Sequence, residues 1–193
     1  SKVIRFCLNN KIKIIYSATS ASLGNNGKDE NLSPYALCKS NNIRILNNLK
    51  KWKNLNCEII YFYNVYGPKQ ISKGYMASVI GIFENQYLKN KPLTIVKPGT
   101  QTRRFTHIDD TVKGCFYVWK KNLKRSYAIS SKKNYSLIQI AKFFGGKYKY
   151  INERQGERFS SSKTHKIGNE KIYEITSRID IKDYIKNFIK KNS

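Results

Sequence analysis

Short apolar runs rich in β-branched residues alternate along the chain with longer stretches whose apolar positions recur every three or four residues, which is an α/β rhythm. Ile12 to Ser17 (IKIIYS) reads as a buried strand, followed by a loop rich in Ser, Gly and Asn that runs to Ser33. Ser33 suits a helix N-cap and Pro34 the first helical position, and Ala36, Ile43, Leu46, Leu49 and Trp52 carry a helical pattern to about Asn54. Cys57 to Tyr63 (CEIIYFY) reads as the next strand, so strand, loop, helix and strand predict a βαβ crossover with two parallel strands, both covered by helices. Further on, the pattern predicts a turn at NVYGPKQ, a helix from about Gly74 to Leu88, and short strands at Leu93 to Val96 and Phe105 to Ile108. It then predicts a helix capped by Asp109 or Asp110 that reaches about Lys121, a strand at Tyr127 to Ser130, and a helix from a Ser136 cap through Phe144. The tail reads as helical, with Ile181, Tyr184, Ile185, Phe188 and Ile189 on one face of Asp180 to Lys190, closing a small C-terminal core.

The 193 residues are 40% apolar and 25% charged, enough for one sizeable core or two small ones. No apolar run reaches the length of roughly 20 residues that a membrane span needs, and no signal-peptide pattern opens the chain. A soluble, cytoplasmic protein with no membrane partner is expected. Cys7, Cys38, Cys57 and Cys115 lie far apart with no metal-ligand spacing, so no metal is expected and the thiols are read as buried. A formal charge of +25 is the footprint of a polyanion binder. Yet the basic residues are mostly Lys, scattered in short groups among many Ile and Asn, which matches codon bias better than nucleic-acid recognition, where Arg forks are favoured. A nucleic-acid partner is therefore not expected, and a basic polyanion-binding module is kept as the reading from another class.

The chemistry concentrates in IIYSATSASLG followed by SPYALCK. These place Thr19 after a strand, and Tyr35 and Lys39 four residues apart on one face of the next helix. A nearby ammonium favours the phenolate of a tyrosine, and a hydroxyl at the carboxyl end of a parallel strand lies where open α/β sheets bind ligands. The ordinary alternative is that YxxxK is a chance pattern and Tyr35 a packing residue.

With YFYNVYGP, GTQTRRFTHIDD and RQGE following in order, the chain from about Ile12 to its end resembles the extended short-chain dehydrogenase/reductases, with nucleotide-sugar epimerases such as the UDP-glucose 4-epimerases the closest group. The resemblance implies a Rossmann-like, doubly wound parallel sheet with a small α/β substrate-binding domain, and NAD as cofactor. It implies a catalytic role for Thr19, Tyr35 and Lys39, with Tyr35 as base and Lys39 on the nicotinamide ribose. Phe62 falls beside the nicotinamide ring, and Asn64, Arg103 and Arg154 fall at the nucleotide-sugar diphosphate. Two departures stand out: Arg104 replaces an acidic residue, and Tyr61 stands where an arginine often precedes the strand-end pair.

Sugar dehydratases of this kind carry an Asp-Glu pair after the hydroxyl residue, whereas this chain has Ser20 and Ala21, so epimerisation through a transient keto sugar is the reaction implied. Dehydration or reduction of a nucleotide-sugar is the alternative within the family, and nucleotide-sugar binding without chemistry is another. Residues 1-72, interleaved with parts of 105-130, are expected to form the second half of the NAD-binding domain, and 73-193 mainly the substrate domain. Pairing through a four-helix bundle implies a homodimer at full length. No glycine-rich G-x-x-G-x-x-G turn occurs in the sequence. The resemblance places it in about a hundred residues ahead of the first strand read here, so the chain alone is expected to expose a sheet edge and to be inactive.

Overall fold

Ser33 opens the central helix as the sequence predicts, its hydroxyl accepting the Ala36 N–H at 3.2 Å with Pro34 in the first turn. The computed structural model describes residues 1–152 and 164–192. After helix α1 (Lys2–Asn9) and strand β1 (Ile14–Thr19), a run of 3-10 turns (Ser20–Asn31) leads to α2 (Pro34–Lys53) and β2 (Cys57–Phe62). Then follow β3 (Val65–Tyr66), α3 (Val79–Leu88), β4 (Leu93–Val96), β5 (Thr102–Arg103), β6 (Thr106–His107), α4 (Ile108–Lys121) and β7 (Ser126–Ser131). The chain continues through β8 (Tyr135–Ser136), α5 (Leu137–Phe143), β9 (Tyr148–Ile151), β10 (Lys166–Ile167), β11 (Glu170–Ser177) and α6 (Ile181–Asn192).

The main sheet has the order β1-β2-β7-β11-β10. β1 and β2 pair in parallel, Ile14 opposite Cys57 through to Thr19 opposite Phe62, and β7 runs parallel to β2 on its other side. This is the expected βαβ crossover, with a hairpin of β10 and β11 added antiparallel. Three small two-stranded ladders, β3 with β6, β4 with β9 and β5 with β8, complete the pairing among the described residues.

Two compact units result, and each has its own core. The first comprises residues 1–62, 112–129 and 164–175. Here Ile60, Tyr127 and Ile129 pack with Val118 of α4, and a side chain on Gly114 would meet Ile129 Cδ1 at 2.5 Å, so the helix approaches its strand through that glycine. Glu58, 0% exposed in β2, accepts the main-chain N–H groups of Lys124 at 3.1 Å and Arg125 at 2.8 Å, fixing the turn that enters β7. The second unit comprises residues 63–111, 130–152 and 176–192. Its core joins Ile80, Phe83, Leu93, Ile140, Phe144 and Ile185, with Tyr184, Phe188 and Ile189 of α6 against it, as the periodicity of the tail predicts. Tyr184 donates to Glu84 at 2.7 Å, and burial raises that carboxyl's pKa against the pull of this bond.

Several expectations are corrected. β1 ends at Thr19 rather than Ser17, and it is not covered on both faces, since Ile15 and Ser17 are exposed and the strand is an edge of the sheet. Trp52 is 71% exposed and outside the core stripe of α2. α3 starts at Val79 and not near Gly74, because Gly74 sits at φ 80° in a turn and the Ser78 hydroxyl caps the helix on Gly81 N–H at 3.0 Å. Asp109 and Asp110 do not cap α4 but lie inside its first turn. Cys7 and Cys57 are buried, and burial pushes the Cys57 thiol up to about 11, but Cys38 is exposed. The strands β3, β5, β8, β9, β10 and β11 are not expected from the pattern.

Asp110 has a different task. Its Oδ2 accepts from the Ser177 hydroxyl at 2.8 Å and from the N–H groups of Arg178 at 2.7 Å and Ile179 at 2.8 Å. Asp110→Ala strands these donors and is expected to cost about 2–4 kcal/mol in a urea unfolding series, with Asp110→Asn costing less because an oxygen acceptor remains. A change below about 0.5 kcal/mol for the alanine variant contradicts this role.

Candidate active site

The first unit collects four of the residues singled out in the sequence. Thr19 is the last residue of β1, and its Cα partner across the ladder is Phe62, the last residue of β2. The Thr19 hydroxyl accepts the Ala21 N–H at 3.2 Å, while its carbonyl accepts from the Ser22 hydroxyl at 2.7 Å, so the chain leaves the strand in a fixed turn. Both residues stand at the carboxyl ends of parallel strands, the end at which open α/β sheets bind their ligands.

Tyr35 and Lys39 stand in the first two turns of α2, and Tyr35 is 57% exposed. The Lys39 ammonium donates to the carbonyl of Ser17 in β1 at 2.8 Å, lies 5.9 Å from the centroid of the Tyr35 ring and 5.1 Å from that of Tyr16. One N–H of a lysine thus anchors the helix to the strand, and an ammonium has three to offer. Tyr16 is the residue here that sequence reasoning missed. It carries the second ring beside Lys39, and its hydroxyl accepts from Asn42 at 3.2 Å, one helical step beyond Lys39. Nothing in the sequence marks it, since Tyr16 lies three residues before Thr19 and so on the opposite face of the strand.

The remaining residues belong to the second unit. Asn64 adopts φ 33°, and its amide donates to the Arg104 carbonyl at 3.0 Å, while its own carbonyl accepts the Thr106 N–H at 3.2 Å. Its side-chain donor therefore serves the ladder of β3 and β6. In the same motif, a side chain on Gly67 would lie 2.4 Å from Ile108 Cγ2, so the glycine of NVYGP is required by close packing. Arg103 lies in β5, where its guanidinium donates to the Thr102 carbonyl at 2.9 Å. Arg104, standing where the family pattern has an acid, donates to the carbonyls of Ser131 at 2.9 Å and Lys132 at 2.7 Å. Arg154 lies outside the described residues.

The parallel βαβ sheet with a hydroxyl at a strand end and a Tyr-x-x-x-Lys pair on the crossover helix defines a Rossmann-like protein of the dehydrogenase/reductase kind. The chain belongs to the NAD dependent epimerase/dehydratase family, whose model matches residues 1–130. It is 31% identical over 160 residues to the ADP-L-glycero-D-manno-heptose-6-epimerase of Brachyspira hyodysenteriae, covering 76% of this chain and 50% of that protein. The corresponding protein of Fusobacterium nucleatum is 26% identical over 236 residues, covering 96% of this chain and 68% of that one. Among solved structures, the UDP-glucuronic acid 4-epimerase of Bacillus cereus, in complex with UDP-glucuronic acid and NAD, aligns with TM-score 0.77 and 23% identity, over 100% of this chain and 66% of that one. The dTDP-glucose 4,6-dehydratase of Streptomyces venezuelae, with NAD bound, aligns with TM-score 0.77 and 16% identity over 97% of this chain and 62% of that one. The chain thus spans half the length of the Brachyspira relative. Among the described residues, no helix is long and apolar enough to cross a membrane.

Arg104→Ala removes charged hydrogen bonds to two carbonyls and is expected to cost about 2 kcal/mol of unfolding free energy in a urea series. A loss below about 0.5 kcal/mol contradicts the assignment of Arg104 to structure.

Proposed function

We propose that these residues form the proton-transfer and nucleotide-sugar-binding part of an NAD-dependent epimerase. The observation that carries the reading is the set of Thr19, Tyr35, Lys39 and Phe62 within one unit, with Lys39 tied to the carbonyl of Ser17 at 2.8 Å. NAD fits the residues present: an exposed Tyr35, a Lys39 ammonium with donors to spare for ribose hydroxyls, and the half-buried Phe62 ring at the neighbouring strand end. When bound, NAD supplies the hydride acceptor and donor for the sugar carbon.

In this reading Tyr35 Oη takes the proton of a sugar hydroxyl as the carbon is oxidised, and returns it when the keto sugar has turned and is reduced on its other face. Thr19 Oγ1 holds the same hydroxyl. Lys39 stands beside the Tyr35 ring and holds the nicotinamide ribose. Arg103 and Arg154 keep the role the family pattern implies, as guanidinium partners of the nucleoside diphosphate. Ser20 and Ala21 offer no carboxylate at the places after Thr19, which supports epimerisation over elimination of water. The Brachyspira and Fusobacterium relatives, named for an ADP-heptose, support an ADP-sugar as a second substrate reading beside a UDP-sugar. Exposed Leu37, Ile45 and Trp52 along α2 support pairing of that helix with a second copy.

Product analysis by NMR tests the reaction. In a polypeptide that also supplies a glycine-rich pyrophosphate turn, UDP-glucose or ADP-heptose is expected to yield the epimer with no dehydrated product, and Tyr35→Phe is expected to lower turnover about 10²–10⁴-fold. The 193-residue chain with added NAD is expected to turn over neither. A deoxy-keto product overturns the epimerase reading, and full activity of Tyr35→Phe overturns the role of Tyr35.

A further inference from the structure

A cavity of about 590 Å³ lies wholly inside the first unit, and Thr19, Tyr35, Lys39 and Phe62 do not line it. One wall is a face of α2 from Ser40 to Lys51, the floor holds Tyr61 and Ser126, and the far wall is the β10–β11 hairpin with Glu170, Lys171 and Tyr173. Its volume is that of a small-molecule site.

Three observations point to the same kind of ligand. The lining carries six cations, Arg44, Lys50, Lys51, Lys124, Arg125 and Lys171, against the carboxylates of Glu30 and Glu170. Glu30 is paired with Arg44, and Glu170 is held by neutral donors, Asn47 at 2.6 Å and the Ser126 hydroxyl. Among the described residues no ion pair joins Glu170 to a lysine or arginine, and the cations of the lining outnumber its carboxylates six to two. Second, Arg125 and Lys171 are set in place by the Tyr173 ring, the guanidinium carbon 4.4 Å and the ammonium 4.9 Å from its centroid. Third, the apolar groups of Ile43 and Tyr61 line the same cavity beside these cations, which suits an organic rather than an inorganic anion.

We propose that this cavity binds an organic diphosphate of nucleotide size. The phosphates lie against Arg125, Lys171 and Lys50, and the apolar body against Ile43 and Tyr61. An acidic peptide is less suited, since a bounded cavity selects a compact ligand. The site is separate from the substrate groups assigned above and adds a second point of nucleotide control to the chain.

The test is a titration of the isotopically labelled whole chain with ADP, pyrophosphate and adenosine, followed by amide NMR shifts. ADP is expected to move Ser40, Ser126 and Lys171, with pyrophosphate at least tenfold weaker at the same residues and adenosine weaker still. Arg125→Gln and Lys171→Gln are each expected to weaken these shifts at least tenfold, while Lys186→Gln, a change of equal charge on α6, leaves them alone. Unchanged circular dichroism confirms that the variants fold. Shifts confined to Asn64 and Arg103 overturn the cavity proposal and leave the substrate reading standing, and shifts confined to the cavity do the reverse. Equal weakening by all three charge variants, or pyrophosphate as strong as ADP, also overturns it.

Discussion

Within each unit of this protein a buried carboxylate that accepts main-chain N–H groups fixes where an element begins. The chain has 12 acidic residues against 37 basic ones, and ion pairs would be the obvious use for each acid. The buried ones are spent otherwise: Glu58 accepts the N–H groups of Lys124 and Arg125 in the first unit, and Asp110 those of Arg178 and Ile179 in the second. In both cases the donors stand just before an element that must start at a fixed place, β7 after Arg125 and α6 after Ile179, and a carboxylate with two or three donors sets that place at a single point. The cost of burying such a charge is offset only because the donors are main-chain groups that would otherwise be orphaned. Asp180 is the partly buried exception. Burial alone would raise its pKa, but the Lys133 ammonium, the Lys182 N–H and the Tyr135 hydroxyl together hold it below the ordinary carboxylate value.

On that frame the site depends on one local tie. The Ser33 cap and Pro34 fix where α2 begins, and Lys39 joins its second turn to β1, so that Thr19 and Tyr35 are set by short-range geometry. Half exposed and bonded to Ser17, the Lys39 ammonium lies beside two aromatic rings. A site made this way needs little from distant parts of the chain, which is why its spacing survives in a sequence rich in Lys and Asn.

Legibility follows the same line. The βαβ unit, the caps at Ser33 and Ser136 and the core face of α6 were readable because each rests on neighbouring residues. Ser136 even forms the reciprocal pair with Gln139. The strand β9, Tyr148–Ile151, was not readable, since its side chains are mostly exposed and it is defined by pairing with the distant β4. β11 does alternate between buried and exposed positions, but the helical pattern after it dominated the reading of the tail. For the site, Thr19, Tyr35 and Lys39 were legible by spacing. The task of Arg104 was not, because its partners are carbonyls of Ser131 and Lys132, and main-chain acceptors leave no mark on a sequence. The bond from Asn64 to Arg104 was hidden for the same reason.

The central claim is that a sugar hydroxyl is received at Thr19 and Tyr35. Ala21 is the natural reporter, because its N–H donates to Thr19 Oγ1 at 3.2 Å and its amide resonance responds when that oxygen takes a new partner. Titrating the labelled chain with UDP-glucose, with ADP-heptose as the second substrate, measures it directly. The account predicts that saturation moves the amides of Ala21 and Tyr35 together, and that Thr19→Val abolishes the Ala21 response while leaving shifts near Arg103. Saturable binding of both sugars that leaves Ala21 and Tyr35 unmoved would contradict it.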